Sequence, residues 1–393
     1  MAWAGTPPAR WPATWRSRRC SGSSSRGKTR IAAFELDSRS RETRRALLDL
    51  IEEAAHAACA AVHDAGKRDE RMRGMGTTLC LLVIAGSHGF IAHVGDSRIY
   101  LVRGDKTHQL TQDHNLQNEL LKRGKLTPDQ IAQVKQKNAL TRAIGVYSSV
   151  EVDTLDFGVV AGDRLLLCSD GLYSYLRKGE LNSVFEDTPE QAAQRLVALA
   201  NQRGGHDNIT AIVIAVSGAP DDEQQTLTKL KLDTLGNAQL FKFLNYQELV
   251  RVSNLSEVRN FLEDEPVFQE GDTGEELFVV LSGSVRVHKG ESTMLFLGPG
   301  EHFGEMALID RGTRSASVTA VEATRVLVIK RPDFLYLIKH ERDLAVKLLW
   351  QFLGVLSSRL RQTSRELGEA RGQLAESMPE LVALDEEDLE ESP

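Results

Sequence analysis

The stretch SGAPDDEQQT, residues 217–226, does most to limit what this chain can fold into. It combines small, turn-forming and charged residues and carries no apolar run, so neither neighbouring core can absorb it. The sequence is punctuated differently on its two sides. Before it, long and short apolar segments alternate as helix and strand. After it, short strands follow one another between closely spaced glycines. Each side is long enough for its own core, so 393 residues read as two domains of an α+β protein, joined by a linker at 217–234.

Upstream of the linker, TRRALLDLIEEAAHAACAAVHDAG (43–66) places apolar residues at i, i+3 and i+4, which predicts a helix. TLCLLVIAG, HGFIAHVG and SRIYLVRG are short apolar runs closed by Gly or Asp, the pattern of strands in hairpins. Residues 115–139 are polar, either helical or irregular. Strands return at VEVDTLDFGV and DRLLLCSDG, followed by a helix at 189–202 and the strand NITAIVIAV. Downstream, helices at 235–254 precede strands divided by Gly271, Gly274, Gly283, Gly290, Gly298 and Gly300, a spacing that predicts a small β-barrel or jelly roll. Residues 341–370 form a long amphipathic helix, and the acidic tail MPELVALDEEDLEESP reads as disordered.

Composition narrows the function classes. A net charge of −7 with no dominant basic face argues against a nucleic-acid partner. No apolar run approaches the ~20 residues of a membrane span, so no membrane partner is expected. The arginine-bearing N-terminus has no apolar segment of the kind a secretory signal needs. Cys20, Cys59, Cys80 and Cys168 are scattered, with no C-x-x-C pair, which suits a reducing cytoplasm and gives no zinc pattern.

Four motifs stand at strand ends in the first domain: GMGTT (74–78), HVGDSR (93–98), CSDGL (168–172) and GGHDNIT (204–210). Asp170 follows the apolar strand LLLC, and Asp207 sits in a glycine-rich turn just before the strand Ile209–Val216. Carboxylates held at the ends of buried strands make a hard oxygen site suited to Mg²⁺ or Mn²⁺. Asp113, in LTQDH, supplies a third. Taken singly, each aspartate is an ordinary turn residue. As a set, GMGTT, GDSR, LTxDH, LTRAIG, SDGL and GHDNIT closely resemble the type-2C metal-dependent protein Ser/Thr phosphatases, over about residues 43–216. The resemblance implies a β-sandwich flanked by helices and direct hydrolysis of phosphoserine or phosphothreonine in protein substrates. It also implies two Mn²⁺ or Mg²⁺ ions with Asp170 and Asp207 as ligands, and a third, weaker ion at Asp113. It makes 115–139 a flap near the substrate groove and gives Asp96 and Arg142 structural roles.

That family begins with an Arg and an Asp-Gly-x-Gly-Gly-His motif, whose Asp bridges the metals and whose Arg and His handle the substrate phosphate and proton transfer. None of these precedes GMGTT, so no residue here is assigned as catalytic and the N-terminal part of the sandwich is expected to be incomplete. The opening MAWAGTPPARWPATW has no helical or strand period. Its codons, read in a shifted frame after a preceding G, permit Asp-Gly-Met-Gly-Gly-His in the right order. Residues 1–34 are therefore expected to be an aberrant, frame-shifted or disordered leader, and the chain as written to bind metal poorly.

The second domain carries FQEGDTGEELFVVLSGSVRV (268–287) and LGPGEHFGEMALIDRGTRSASVTAV (297–321). A short helix near Gly304 would aim N–H groups at an anion, Arg314 would pair with it, and Glu305 would accept from a sugar hydroxyl. Without the surrounding pattern, Glu305 and Arg314 would read as a salt bridge on a barrel rim. With it, residues 235–363 resemble the cyclic-nucleotide-binding domain, a β-roll with a C-terminal helix. Phe303, Gly304, Glu305, Met306, Ala307 and Leu308, then Arg314 and Ala316, match that family's phosphate-binding cassette; Thr313 replaces a common proline. The resemblance implies that Glu305 binds the ribose 2′-OH and Arg314 the cyclic phosphate. Backbone groups around Gly304, Ala307, Ser315 and Ala316 would complete the cradle. Cyclic AMP is the favoured ligand, and cyclic GMP also fits the pattern.

Leu344, Leu348, Phe352, Leu356 and Leu360 give the C-terminal helix a four-residue apolar spacing. That face would cap the base, pack on the barrel or pair with another subunit, so a monomer and a homodimer both fit. The leading expectation is a phosphatase regulated by cyclic nucleotide through movement of the capping helix and the linker. The rival is a pseudophosphatase that acts as a cyclic-nucleotide-responsive binding protein. A transcription regulator ranks below both, because the chain turns acidic after residue 365 where a helix-turn-helix would follow.

Overall fold

A computed structural model describes residues 24–377, apart from 39, 123, 125–129, 131–133, 135–137, 178, 219–222 and 311. The opening 23 residues and the acidic tail lie outside the described residues, as does much of the expected flap. The chain divides into two compact units.

The first unit starts earlier than the leader expectation allows. The leader expectation takes in residues 24–34, yet α1 runs Ser24–Leu36. Phe34 is fully buried, its ring edge-on to Phe90 at 5.2 Å between centroids. The correction has a plain cause: Ile31 and Phe34 lie one helical turn apart and both pack into the core beneath Leu47 and Ile51. The next helix, α2, spans Arg41–Arg68; Ser40 caps it by accepting from the Glu42 N–H. Leu47, Ile51, Ala55 and Cys59 recur every four residues along its buried stripe.

β1 (Leu79–Ala85), β2 (His88–Val94) and β5 (Asp153–Gly158) form one antiparallel sheet, ordered β1-β2-β5. β3 (Arg98–Arg103), β4 (Lys106–Gln109), β6 (Arg164–Cys168) and β7 (Ala211–Ala215) form another, ordered β4-β3-β6-β7. α3 (Leu116–Lys122) follows β4; α4 (Asp170–Tyr173), α5 (Glu180–Val184) and α6 (Pro189–Gln202) lie between β6 and β7. α1 and α2 cover the first sheet through Phe90 and Ala92, and α6 covers the second through Leu196 and Ala200 against Leu166. β2 is buried along its whole length.

The expected linker is partly helical: α7 spans Glu223–Asn237. Residues 245–254, assigned from sequence to the second domain, group with the first unit. All but Asn245 lie in α8, Tyr246–Leu255. Arg103 donates to the Tyr246 hydroxyl at 3.0 Å, and Asn254 donates to the Asp156 carboxylate at 2.8 Å. Arg251 donates to the Thr154 carbonyl at 3.2 Å.

The second unit comprises 233–244 and the residues from 255 onward. Its strands are β8 (Glu257–Phe261), β9 (Pro266–Phe268), β10 (Glu276–Ser282), β11 (Val285–Lys289), β12 (Ser292–Leu297), β13 (His302–Phe303), β14 (Ser317–Ala320) and β15 (Thr324–Lys330). They pair as two four-stranded antiparallel sheets, β13-β10-β15-β8 and β12-β11-β14-β9, around Phe278, Val280, Val318 and Val326. A four-residue helix, α9 (Met306–Ile309), interrupts the roll, and α10 (Arg331–His340) follows it. α11 runs Arg342–Ser377; Leu344, Leu348 and Phe352 are buried as the four-residue spacing predicts. Leu360, the last of that series, is instead 69% exposed. The neighbouring Arg359 still reaches the roll, through Glu305.

Candidate functional site

In the first unit, Asp170 begins α4 directly after β6, and Asp207 precedes β7, the neighbouring strand. Cys168 pairs with Ala211 across these strands, so the two aspartates leave the same end of the sheet. The loops are tied together. Ser169 Oγ donates to the Asn208 carbonyl and accepts from the Thr210 N–H, both at 3.0 Å. Each aspartate also accepts from the following N–H, Gly171 at 2.9 Å and Asn208 at 2.7 Å.

Asp113 is placed differently. It is 5% exposed, and both its oxygens are held by Arg98, at 2.9 Å from Nε and 2.7 Å from Nη2. The Arg98 guanidinium lies 3.6 Å from the centre of the Tyr173 ring. Burial pushes the Asp96 carboxyl up to about 6, and the negative charges of Asp170 and Asp113 add to the shift. Asp170 and Asp113 are thus within electrostatic reach of Asp96, and Arg98 offsets part of their effect.

Deeper in, the Gly95 N–H donates to His114 Nδ1 at 3.1 Å, so Nε2 carries the proton and donates to Asp153 at 3.0 Å. Arg142 donates to the same carboxylate at 2.7 Å. Burial opposes ionisation of Asp153, but the His114 hydrogen bond and the nearby positive groups outweigh it and hold the carboxyl below its usual range. Arg142 thereby braces the scaffold. Thr77 and Ile144 exchange backbone hydrogen bonds, which joins GMGTT to LTRAIG. A cleft of about 300 Å³ lies beside α3, lined by Leu116, Glu119, Leu120, Thr141 and Arg142.

Carboxylate oxygens suit a hard divalent cation. Among the described residues, however, no three His, Cys, Asp or Glu side chains converge as a metal cluster. Asp170 and Asp207 fit such an ion as two donors of the six or more it needs; Asp113 fits only by giving up part of its pairing with Arg98. Burial pushes the Cys80 and Cys168 thiols up to about 12, so neither is a nucleophile near neutral pH.

In the second unit, Arg314 is 7% exposed and reaches under the cassette. It donates to the Glu276 carbonyl at 3.1 Å and the Gly304 carbonyl at 3.3 Å, and lies 4.2 Å from the centre of the Phe268 ring. Its Nε has no hydrogen-bond partner, and burial lowers its pKa. The backbone makes room for it. A Cβ on Gly274 would stand 2.5 Å from Arg314 Nε, and one on Gly304 would stand 2.6 Å from Nη1. Gly304 also has φ +74°, which a side chain would strain. A buried cation held by carbonyls and lacking an anion fits a phosphate group.

Glu305 is 1% exposed and is paired with Arg359 of α11, which also donates to the His302 carbonyl at 3.2 Å. Ala307 and Ala316 are buried, and Ser315 is exposed. The Ala307 N–H donates to the Gly304 carbonyl at 3.2 Å, so that expected cradle donor is already engaged. Sequence reasoning missed Arg98 and Arg359. Arg98 stood in view within GDSR; nothing in the local sequence pointed from Arg359 to Glu305, 54 residues away.

The comparisons with known proteins follow the same division. The protein phosphatase 2C family model matches residues 23–209, and the cyclic nucleotide-binding domain model matches 258–341. Protein phosphatase PhpP of Streptococcus pneumoniae is 44% identical over 161 residues, which are 40% of this chain and 64% of that protein. The chain thus spans just under two thirds of that relative's length. The Mycobacterium tuberculosis serine/threonine phosphatase PstP is 33% identical over 44% of this chain and 73% of that one, with a TM-score of 0.41. The Thermus thermophilus catabolite activator protein is 38% identical over 33% of this chain and 62% of that one, with a TM-score of 0.30. Residues 23–209 are thus a protein phosphatase 2C domain, and residues 258–341 a cyclic nucleotide-binding domain after it.

Proposed function

We propose that this chain is a divalent-metal-dependent phosphatase module acting in the cytoplasm on phosphoserine and phosphothreonine of proteins, and regulated by a cyclic nucleotide. The observation that carries the catalytic half is the placement of Asp170 and Asp207 at one end of the paired strands β6 and β7, inside the matched family region. Asp170 and Asp207 hold Mn²⁺ or Mg²⁺, and Asp113 serves a third, weaker site when Arg98 yields an oxygen. Bound divalent ions polarise a phosphoryl oxygen and lower the pKa of water. On the regulatory half, Arg314 pairs with the cyclic phosphate of cyclic AMP. Glu305 exchanges Arg359 for the ribose hydroxyl, and Gly304, Ala307, Ser315 and Ala316 line the cradle.

One observation favours a second reading, a phosphoprotein-binding module without catalysis: no three metal-ligating side chains converge among the described residues. The experiment is hydrolysis of a phosphothreonine peptide across a Mn²⁺ titration. It uses the chain itself and a version with Asp-Gly-Met-Gly-Gly-His placed ahead of Ser24. Turnover that is lost in Asp170→Asn and Asp207→Asn supports the enzyme. No turnover by either version at saturating Mn²⁺ supports the binding module. An unchanged rate at saturating cyclic AMP rejects the regulation.

A further inference from the structure

Three side chains hold the Arg98 guanidinium. Nε and Nη2 donate to the two oxygens of Asp113 at 2.9 and 2.7 Å, Nη1 donates to the Tyr100 hydroxyl at 2.8 Å, and Cζ lies 3.6 Å from the centre of the Tyr173 ring. The strand period explains the meeting. Arg98 and Tyr100 stand two residues apart on β3 and so share a face, and Gln109 of β4 lies opposite Tyr100 on that face. Across β6, Arg98 pairs with Cys168, two residues before Asp170. Tyr100 and Tyr173 pack on one apolar cluster with Cys168 and Leu172. Gln109 Nε2 adds a further hydrogen bond to Asp113, to Oδ1 at 3.2 Å. Asp113 Oδ1 therefore already accepts twice, and the position left on Oδ2 lies beside Arg98 Nη2. Whatever reaches that oxygen meets a guanidinium that Tyr100 and Tyr173 keep from swinging away.

We propose that Arg98 is a resident counterion, a positioning residue that holds Asp113 and sets how weakly this carboxylate takes a divalent cation such as Mn²⁺ or Mg²⁺. The inference rests on the proposed reading of Asp113 as a third metal position, and it assigns the weakness of that position to one side chain. A guanidinium at hydrogen-bonding distance neutralises the carboxylate and repels a second cation. The Asp113 side chain is 5% exposed and that of Arg98 24%, so solvent screens this repulsion poorly. The fork and the charge of Arg98 can be separated. Lysine keeps the charge and loses the fork; glutamine keeps a donor and loses the charge. A purely structural role needs the fork, and a counterion role needs the charge.

The test counts Mn²⁺ bound to the full chain, read from the free-ion electron paramagnetic resonance signal across a titration with no substrate present. The parent chain is expected to show a weak class of ions that Asp113→Asn removes. Arg98→Gln tightens that class by roughly tenfold, because the competing charge is gone. Arg98→Lys leaves it within about threefold of the parent. Tyr100→Phe frees the guanidinium to move aside and falls between them. That variant keeps the pair with Asp113, so it carries the test if Arg98→Gln does not fold. Thermal melting followed by circular dichroism reports separately on the fold, and both Arg98 variants should melt lower than the parent. Weak-class affinities that change together in the lysine and glutamine variants would mark a structural role and overturn the proposal. So would an affinity equal in the parent, Arg98→Gln and Tyr100→Phe, or a weak class absent from every chain. In each of those cases tighter ions that persist in Asp113→Asn and vanish in Asp170→Asn leave the reading of Asp170 and Asp207 standing. No bound Mn²⁺ in any chain overturns that reading and this inference together.

Discussion

Arg314 shows how a single residue sets demands on the backbone around it. Its guanidinium is buried on carbonyls and an aromatic ring, and Gly274 and Gly304 leave the space it fills. Arg314→Ala should abolish cyclic AMP binding. Gly274→Ala should weaken it at least tenfold, because a new Cβ 2.5 Å from Nε must displace the guanidinium. Isothermal titration of cyclic AMP into both variants checks this. A second residue-scale effect concerns His88 and His93. Burial pushes both imidazoles down to about 4 from 6.5, Arg44 adding to the shift at His88 and His114 at His93. Between those values the unfolded chain binds more protons than the folded one, so stability falls as pH drops from 6.5 towards 4. His88→Phe keeps a ring against Phe34 and Phe90 and should remove about half of that slope, read from melting temperatures across the window.

At the scale of elements, what the sequence disclosed depended on whether a segment announces itself locally. β1, β2, β3 and β6 are apolar runs closed by turn residues, and the structure has strands there. β4 is KTHQ, too polar to read as a strand, and exists because β3 offers it an edge. α1 was hidden beside an aperiodic arginine-rich stretch, and α7 behind the polar residues that opened the linker. The same division holds in the sites. Asp170, Asp207, Glu305 and Arg314 stand in compact motifs that the sequence displays. The grip of Arg98 on Asp113 and of Arg359 on Glu305 are products of folding. α6 carries a local signal with a measurable weight. Thr188 accepts from the Gln191 N–H at 3.3 Å, and the Gln191 side chain accepts from the Thr188 N–H at 3.4 Å. Thr188→Ala should cost about 1 kcal/mol, seen as a lower urea midpoint with an unchanged slope.

For the whole molecule, two compact units with separate cores imply two unfolding events, and each ligand should stabilise the unit that holds it. Cyclic AMP at about a hundred times its dissociation constant adds about 2.7 kcal/mol to the state that binds it. Calorimetry of the full chain should therefore show one transition rising with cyclic AMP and standing still in Arg314→Ala. Mn²⁺ should raise the other transition, and not in Asp207→Asn. Regulation requires more than this. If nucleotide occupancy alters metal affinity, linkage demands that metal alter nucleotide affinity by the same factor. The regulated reading thus predicts that saturating Mn²⁺ shifts the cyclic AMP dissociation constant, and that Asp207→Asn erases the shift without touching the Arg314 cradle. Two transitions that respond each to its own ligand alone, with equal cyclic AMP affinity with and without Mn²⁺, would mean that the two sites share a chain and exchange no binding free energy.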